Sequence, residues 1–343
     1  VGLVSALYLA NPKNEASASL FQQPDKDFVA AVGMSKLPHI LLEGSQDKDF
    51  FTRMCETIWK VPKRHVNIAT AEQLNSDGSI LGNRDKVEIV CDLVLQHSFQ
   101  SRFIGFVDRE FRGFALHESV GDDLRTHWCC GRLVWSRGHS IENYLFEFDV
   151  VRRALLDCST NGEVAGIALE VLEEQFPQVI RIACALGLTG KEYNELGVVR
   201  RTVHWSTMRL IDGKFSWDID VWDKALNDHA NLPDKTRASL VNGFRRWFDI
   251  AEVSPLDDVR WGCDGHIGLN LIWAAYTTAI YDTAASMEAV KPNAANQRDA
   301  ILKVDDKIKF NQMASNWTLL RSWEADDSPF FCLSMIGISS RQT

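Results

Sequence analysis

Ile40-Leu41-Leu42-Glu43-Gly44-Ser45-Gln46-Asp47-Lys48-Asp49-Phe50-Phe51 is a short apolar run that ends in an acidic residue and a glycine and then opens a helix. An apolar stretch bounded this way reads as a buried parallel strand, because such strands are covered on both faces and lose the polar alternation of a half-exposed sheet. Its C-terminal end delivers Glu43 to the crevice outside the sheet, where open α/β folds bind ligands. From Asp47 onward, Phe50, Phe51, Met54, Ile58 and Trp59 recur at helical spacing, and Pro62 ends the segment.

Working outward, Val66 to Thr70 predicts a second strand, followed by a polar loop with Asp77-Gly78 and Gly82. A helix carrying Val87, Val90, Cys91, Val94 and Leu95 comes next. The third strand, Phe103 to Val107, runs straight into Asp108-Arg109-Glu110; after an irregular stretch from Phe111 to Gly131, Leu133-Val134-Trp135 predicts a fourth. Gly138 to Phe146 reads as the start of a helix capped at Ser140. Alternation of strand and helix predicts an α/β fold with a parallel sheet over residues 37–146, with Glu43 and Asp108 on the same strand-end edge.

Residues 1–36 form a lead-in: an apolar patch from Leu3 to Leu9, a polar stretch through Asn11-Pro12, and a short helix from Asp25 to Val32. Beyond Glu147 the pattern turns helical, so residues 147–343 are expected to form a mostly helical domain for substrate or partner recognition. Within it, Asp212-Gly213-Lys214 reads as a turn, Asn231 to Asp234 as a loop, Leu240 to Ile250 as an amphipathic helix, and Leu269 to Tyr281 as the most apolar segment. No repeat or low-complexity tract is visible.

The 343 residues are 45% hydrophobic and carry a formal charge of −9, so any contact with nucleic acid must come from local clusters and not from a global basic field. The 8 cysteines contain no C-x-x-C pair, which points away from a zinc module or a disulfide framework and toward a reducing, cytoplasmic setting. No basic region followed by an apolar core opens the chain, and no stretch is apolar enough to span a bilayer, so a soluble protein without membrane contact is expected. Position 1 is Val, which places the expected native start upstream.

Glu43, Asp108, Glu110 and Glu142 each sit at or just after the end of a predicted strand. Converged on one edge, such hard oxygen ligands suit magnesium or manganese, and a cation held there activates water against a phosphodiester. Each acid also has a plain structural reading: Glu43 and Asp108 as turn residues, Glu142 as an acid favoured by a helix dipole. The basic cluster Lys60, Lys63, Arg64 and His65 reads either as a solvated helix end or as a phosphate contact.

Leu42-Glu43-Gly44 with Asp47, Val107-Asp108-Arg109-Glu110-Phe111, and Ser140-Ile141-Glu142-Asn143-Tyr144-Leu145 together resemble the three signatures of the TOPRIM domain in overcoming-lysogenization-defect-like nucleases. Among these, the chain resembles the compact family that includes the effector of the PARIS anti-phage system, which works beside an ABC-type ATPase. The resemblance covers residues 37–146; the remainder matches loosely. It implies a Rossmann-like TOPRIM fold and a magnesium-dependent nuclease, with manganese as substitute, in which Glu43 is metal ligand or general acid/base and Asp108 the first aspartate of an Asp-x-Asp metal pair. Glu110 stands where the second aspartate is usual, one methylene longer. Asp47 matches the acidic residue after the first motif, Glu142 and Asn143 match an Ile-Glu-Asn signature beside the metal, and Gly265-His266 is read either as a glycine and a basic residue that faces phosphate or as a plain helix start.

What the resemblance implies for function is a toxic effector of antiviral defence, acting on RNA such as tRNA or on DNA and controlled by an ATPase partner, with a homodimer also allowed for. Topoisomerase chemistry is disfavoured because Tyr144, Tyr276 and Tyr281 fall in predicted apolar helices, and primase zinc signatures are missing. The helical half holds eight of the eleven tryptophans and the pairs Arg200-Arg201 and Arg245-Arg246, and is expected to supply the docking surface. A competing expectation is a TOPRIM sensor or scaffold that binds a partner without cutting.

Overall fold

The computed structural model describes residues 23–74, 82–286, 291–321 and 331–338. The Leu3 to Leu9 patch, the Asn11-Pro12 turn, the Asp77-Gly78 loop and part of the tail after Met287 lie outside the described residues. The chain is a mixed α/β protein. Its first part alternates α1 (Gln23–Met34), β1 (His39–Leu42), α2 (Ser45–Thr57), β2 (Asn67–Thr70), α3 (Asn83–Leu95) and β3 (Phe103–Val107). Four short strands follow: β4 (Phe114–Leu116), β5 (Val120–Asp122), β6 (Trp128–Cys130) and β7 (Leu133–Trp135).

The central five-stranded sheet has the order β2-β1-β3-β7-β6. Strands β2, β1, β3 and β7 run parallel, and β6 closes one edge antiparallel to β7. Period-2 geometry divides the strands between two cores. Ile40, Leu42, Ile104, Phe106 and Val134 face one side, whereas Leu41, Phe103, Val107 and Leu133 face the side covered by α1 and α3. Gly105 is what lets α3 sit down on β3: a Cβ there would lie 2.4 Å from Cys91 Sγ and 2.7 Å from Val87 Cγ1.

The second part contains α4 (Phe148–Asp157), α5 (Gly162–Glu192), α6 (Leu196–Thr202), the hairpin β8 (Met208–Ile211) with β9 (Lys214–Trp217), α7 (Ile219–Ala230), α8 (Asp234–Val253), α9 (Leu256–Gly262), α10 (Gly265–Asp282), α11 (Lys291–Leu302) and α12 (Asp306–Leu320). Helix α5 packs between α10 and α8, and α12 returns to cover α2, with the Trp317 ring 5.2 Å from that of Phe50. One hydrophobic core therefore runs from Ile40 in β1 to Ile338 near the C-terminus. The division near residue 146 is one of topology and not of packing. None of the described helices is long and apolar enough to cross a membrane.

Several local expectations change. The irregular stretch after Phe111 holds β4, β5 and β6, and the expected turn at Asp212-Gly213 is the tip of the β8–β9 hairpin, so the second part is not purely helical. Asp212 and Gly213 both adopt positive φ (51° and 75°), the backbone required by the tight turns whose twist matches a hairpin. Strands β5, β8 and β9 mix polar with apolar residues over three or four positions, so they show neither a continuous apolar run nor enough alternations to reveal themselves in sequence. Six of the eight tryptophans in this part, Trp217, Trp222, Trp247, Trp261, Trp273 and Trp317, are buried core and offer no docking surface.

Candidate metal and active site at the strand-end crevice

After β1 the chain passes to β2 on one side, and after β3 it passes to β7 on the other, so the C-terminal ends of β1 and β3 flank the point where the connections diverge. In open parallel sheets this divergence leaves a crevice that takes the ligand. Glu43 is the first residue after β1 and Asp108 the first after β3. The two are joined directly: Glu43 Oε1 accepts a hydrogen bond from the Asp108 backbone N–H at 2.8 Å. One turn later Asp47 closes the start of α2, its Oδ2 accepting from the Gly44 N–H at 3.1 Å.

Glu142 follows β7 on a single 3-10 turn, Ile141–Leu145, and is 2% exposed. The N-terminus of α10 is pressed against it. A Cβ on Gly265 would stand 2.0 Å from Ser140 Oγ and 2.7 Å from Glu142 Oε2, so only glycine allows this approach. The next residue, His266, puts Nδ1 3.1 Å from Glu142 Oε1 and leaves the ring half exposed.

These acids feel one another. Burial pushes the Asp47 carboxyl up to about 7, and the charges of Glu142, Glu43 and Glu72 add to the effect. Asp108 is driven well above the ordinary carboxylate range by burial and then by Asp47, Glu43 and Glu142. Glu43 is also raised, first by burial and then by Glu110 and Glu88, against the opposing pull of Arg84 and of the Asp108 hydrogen bond. Strongly perturbed groups clustered in a crevice mark functional sites more often than structural ones.

The donor set fits a hard divalent cation. Oxygen carboxylates are the ligands that magnesium and manganese take, and the crowding that raises their pKa values is negative charge that such an ion neutralises. Among the described residues no three acidic, histidine or cysteine groups already surround one point in ligating geometry, so loading requires rotamer changes. Glu43, Asp47 and Asp108 are the residues that would hold the ion.

Glu110 is carried at the crevice mouth, exposed, on a left-handed backbone (φ 53°), with its N–H donated to the His139 carbonyl at 2.7 Å. Its carboxylate pairs with Arg84 Nη1 at 2.6 Å. Three of the sequence-derived substrate contacts, Asn143, Lys63 and Arg64, need correction. Asn143 is 0% exposed: its Oδ1 accepts from the Ser140 N–H, and its Nδ2 donates to the carbonyls of Arg260 and Cys263. It clamps the Glu142 turn to the α9–α10 connection and has no atom left for substrate. Lys63 and Arg64 lie in a short turn directly before β2, at the N-terminal edge of the parallel sheet and therefore away from the crevice.

Sequence reading missed three residues next to the acids. Arg84, at the start of α3, reaches Glu43 at 3.8 Å as well as Glu110. Asp264, fully buried, caps α10 through the Ile267 N–H and takes a forked contact from Arg200. His139 Nε2 lies 3.7 Å from the same carboxylate. Burial works against the Asp264 charge, but His139 and the Arg200 hydrogen bonds hold its pKa below the usual value. The one available signal was the Asp264-Gly265 pair ahead of an apolar run, a helix-cap pattern. No protein-family model matches the chain, and no curated protein matches it.

Proposed function

We propose that this chain is a magnesium-dependent nuclease of the TOPRIM type, related to the overcoming-lysogenization-defect-like enzymes, hydrolysing phosphodiester bonds of RNA or DNA. The observation that carries the reading is the pair Glu43 and Asp108, hydrogen-bonded to each other across the ends of β1 and β3, both with raised pKa values. Bound magnesium, or manganese in its place, would polarise the phosphoryl group and favour ionisation of the attacking water. Asp47 and Asp108 hold the site's charge, and Glu43, placed at the end of β1 and raised above its ordinary pKa by burial, takes the proton from water. The water oxygen forms the new bond to phosphorus, the ester bond to the leaving sugar oxygen breaks, and that oxygen is protonated from solvent. His266, steadied by Glu142, faces the substrate phosphate.

The same reading makes the protein a toxic effector of anti-phage defence whose activity is released through an ABC-type ATPase partner. Purified protein, with and without a co-expressed ATPase, is to be incubated with tRNA, other RNA and DNA in magnesium or in a chelator. Cleavage that needs the metal and is lost in both Glu43→Ala and Asp108→Ala, while the fold is retained, supports the reading. Undiminished cleavage by both variants overturns it. Equal toxicity with and without the ATPase would leave a freestanding nuclease.

The scaffold alternative draws on the ion pair that ties Arg84 to Glu110, a candidate ligand already neutralised by the protein itself. It predicts partner binding without metal-dependent cleavage, and silent carboxylate-to-alanine changes.

A further inference from the structure

Arg84 stands in the first turn of α3, where the helix dipole presents partial positive charge and disfavours a cation. It does nothing for that helix start: the cap belongs to Asp85, whose Oδ2 accepts from the Gly82 N–H at 3.2 Å. The guanidinium instead crosses to the crevice. Nη1 is 2.6 Å from Glu110 Oε2, Nη2 is 3.8 Å from Glu43 Oε1, and Nε is 3.9 Å from Glu88 Oε1. The side chain is 11% exposed, yet Nε and Nη2 are buried with no hydrogen-bond partner among the described residues.

A buried guanidinium normally fills its fork of donors, since each unsatisfied one costs about 1–3 kcal/mol. Arg84 makes one close contact and is otherwise held by charge at distances too long for hydrogen bonds. Such a group neutralises acids without being fixed to them. A divalent cation attracted to Glu43 and Asp108 competes for the same negative charge and repels the guanidinium.

Resting on the cation-site reading above, we propose that Arg84 is the resident counter-ion of the acidic crevice: it bridges Glu110 and Glu43 in the metal-free protein and is displaced when a divalent cation loads. Metal affinity is thereby set by an exchange of one cation for another, and Glu110 becomes available to the site only when Arg84 lets go.

The test is calorimetric titration of the full chain with manganese alone, no nucleic acid present, comparing wild type with Arg84→Gln and Arg84→Lys. Arg84→Gln is expected to bind manganese at least tenfold more tightly, with Arg84→Lys between the two. Equal or weaker binding by Arg84→Gln, with wild type still binding, overturns the counter-ion and leaves the cation site standing. Absence of binding in all three brings down both. A measurement on the wild-type fold alone guards against a misfolded variant: in nitrogen-15 arginine-labelled protein, the Arg84 Nε–H signal should shift and exchange faster with solvent as magnesium is added. A signal that stays unmoved at saturation overturns the proposal.

Discussion

Asp108 and Arg109 are neighbours in sequence and opposites in design. Arg109 is 0% exposed and matched at every nitrogen: Nε donates to the Arg112 carbonyl, Nη1 to Asp122 Oδ1 and the Arg137 carbonyl, and Nη2 to the Gly113 carbonyl. Its guanidinium also stacks 4.0 Å over the Phe114 ring. Asp108 meets mostly its own sign of charge, in Asp47, Glu43 and Glu142, with Arg84 opposing. A buried charge that is fully partnered holds structure together, whereas one left among like charges is kept at a cost to stability. The side chain at 109 organises the loop; on the proposed function, the side chain at 108 serves what enters the crevice.

The largest effect expected from this contrast is at the matched charge. Arg109→Met removes one partner of a buried pair and strands Asp122, and it should cost about 3–5 kcal/mol in urea unfolding. A loss under 1 kcal/mol would deny Arg109 its structural role. Gly265→Ala ranks next, because a Cβ 2.0 Å from Ser140 Oγ forces α10 off the Glu142 turn. Overpacking of this kind costs about 1–3 kcal/mol, and cleavage should fall with it because Glu142 and His266 move together.

Asp108→Asn should do the reverse of Arg109→Met. By removing a crowded charge it should raise the melting temperature of metal-free protein at neutral pH by a few degrees while abolishing cleavage. A variant that is both inactive and clearly less stable would place Asp108 among the structural charges.

The smallest effect is a pH dependence whose sign follows from the raised pKa values. Asp47 titrates at about 7 in the folded protein against an ordinary value of 3.8, so the folded state holds the proton more tightly than the unfolded chain. Stability contributed by this group is full below about pH 4 and declines as pH rises toward 7. Glu43 and Asp108 shift in the same direction. Metal-free protein should melt higher at pH 5 than at pH 7.5, with the difference reduced in Asp47→Asn and by added magnesium. A rise in stability from pH 5 to 7.5 that Asp47→Asn leaves untouched would contradict the crowded-acid account.

The sheet and the acids at its edge were legible because apolar runs that end in Glu43 and Asp108 combine two signals, burial and a charged terminus. The hairpins were not, since most of their short strands mix polar with apolar residues and offer neither a continuous apolar run nor enough alternation to show a period. Lys63 and Arg64 were misassigned for a reason visible in the topology. A helix that connects two parallel strands returns the chain to the opposite edge of the sheet, so a basic cluster at its end lies far from the acids at its start. Arg84 and Asp264 carried no local mark of function: Arg84 reaches Glu110, and Asp264 is paired with Arg200, from elements that only the tertiary fold brings together.

The central claim is that the crowded acids at the ends of β1 and β3 form a divalent-cation site. Crystals soaked in manganese, measured for anomalous scattering, test it most directly. The account predicts an anomalous peak in contact with Glu43 and Asp108, absent from Asp108→Asn crystals soaked the same way. A manganese-soaked wild-type crystal with no peak at that crevice would contradict it.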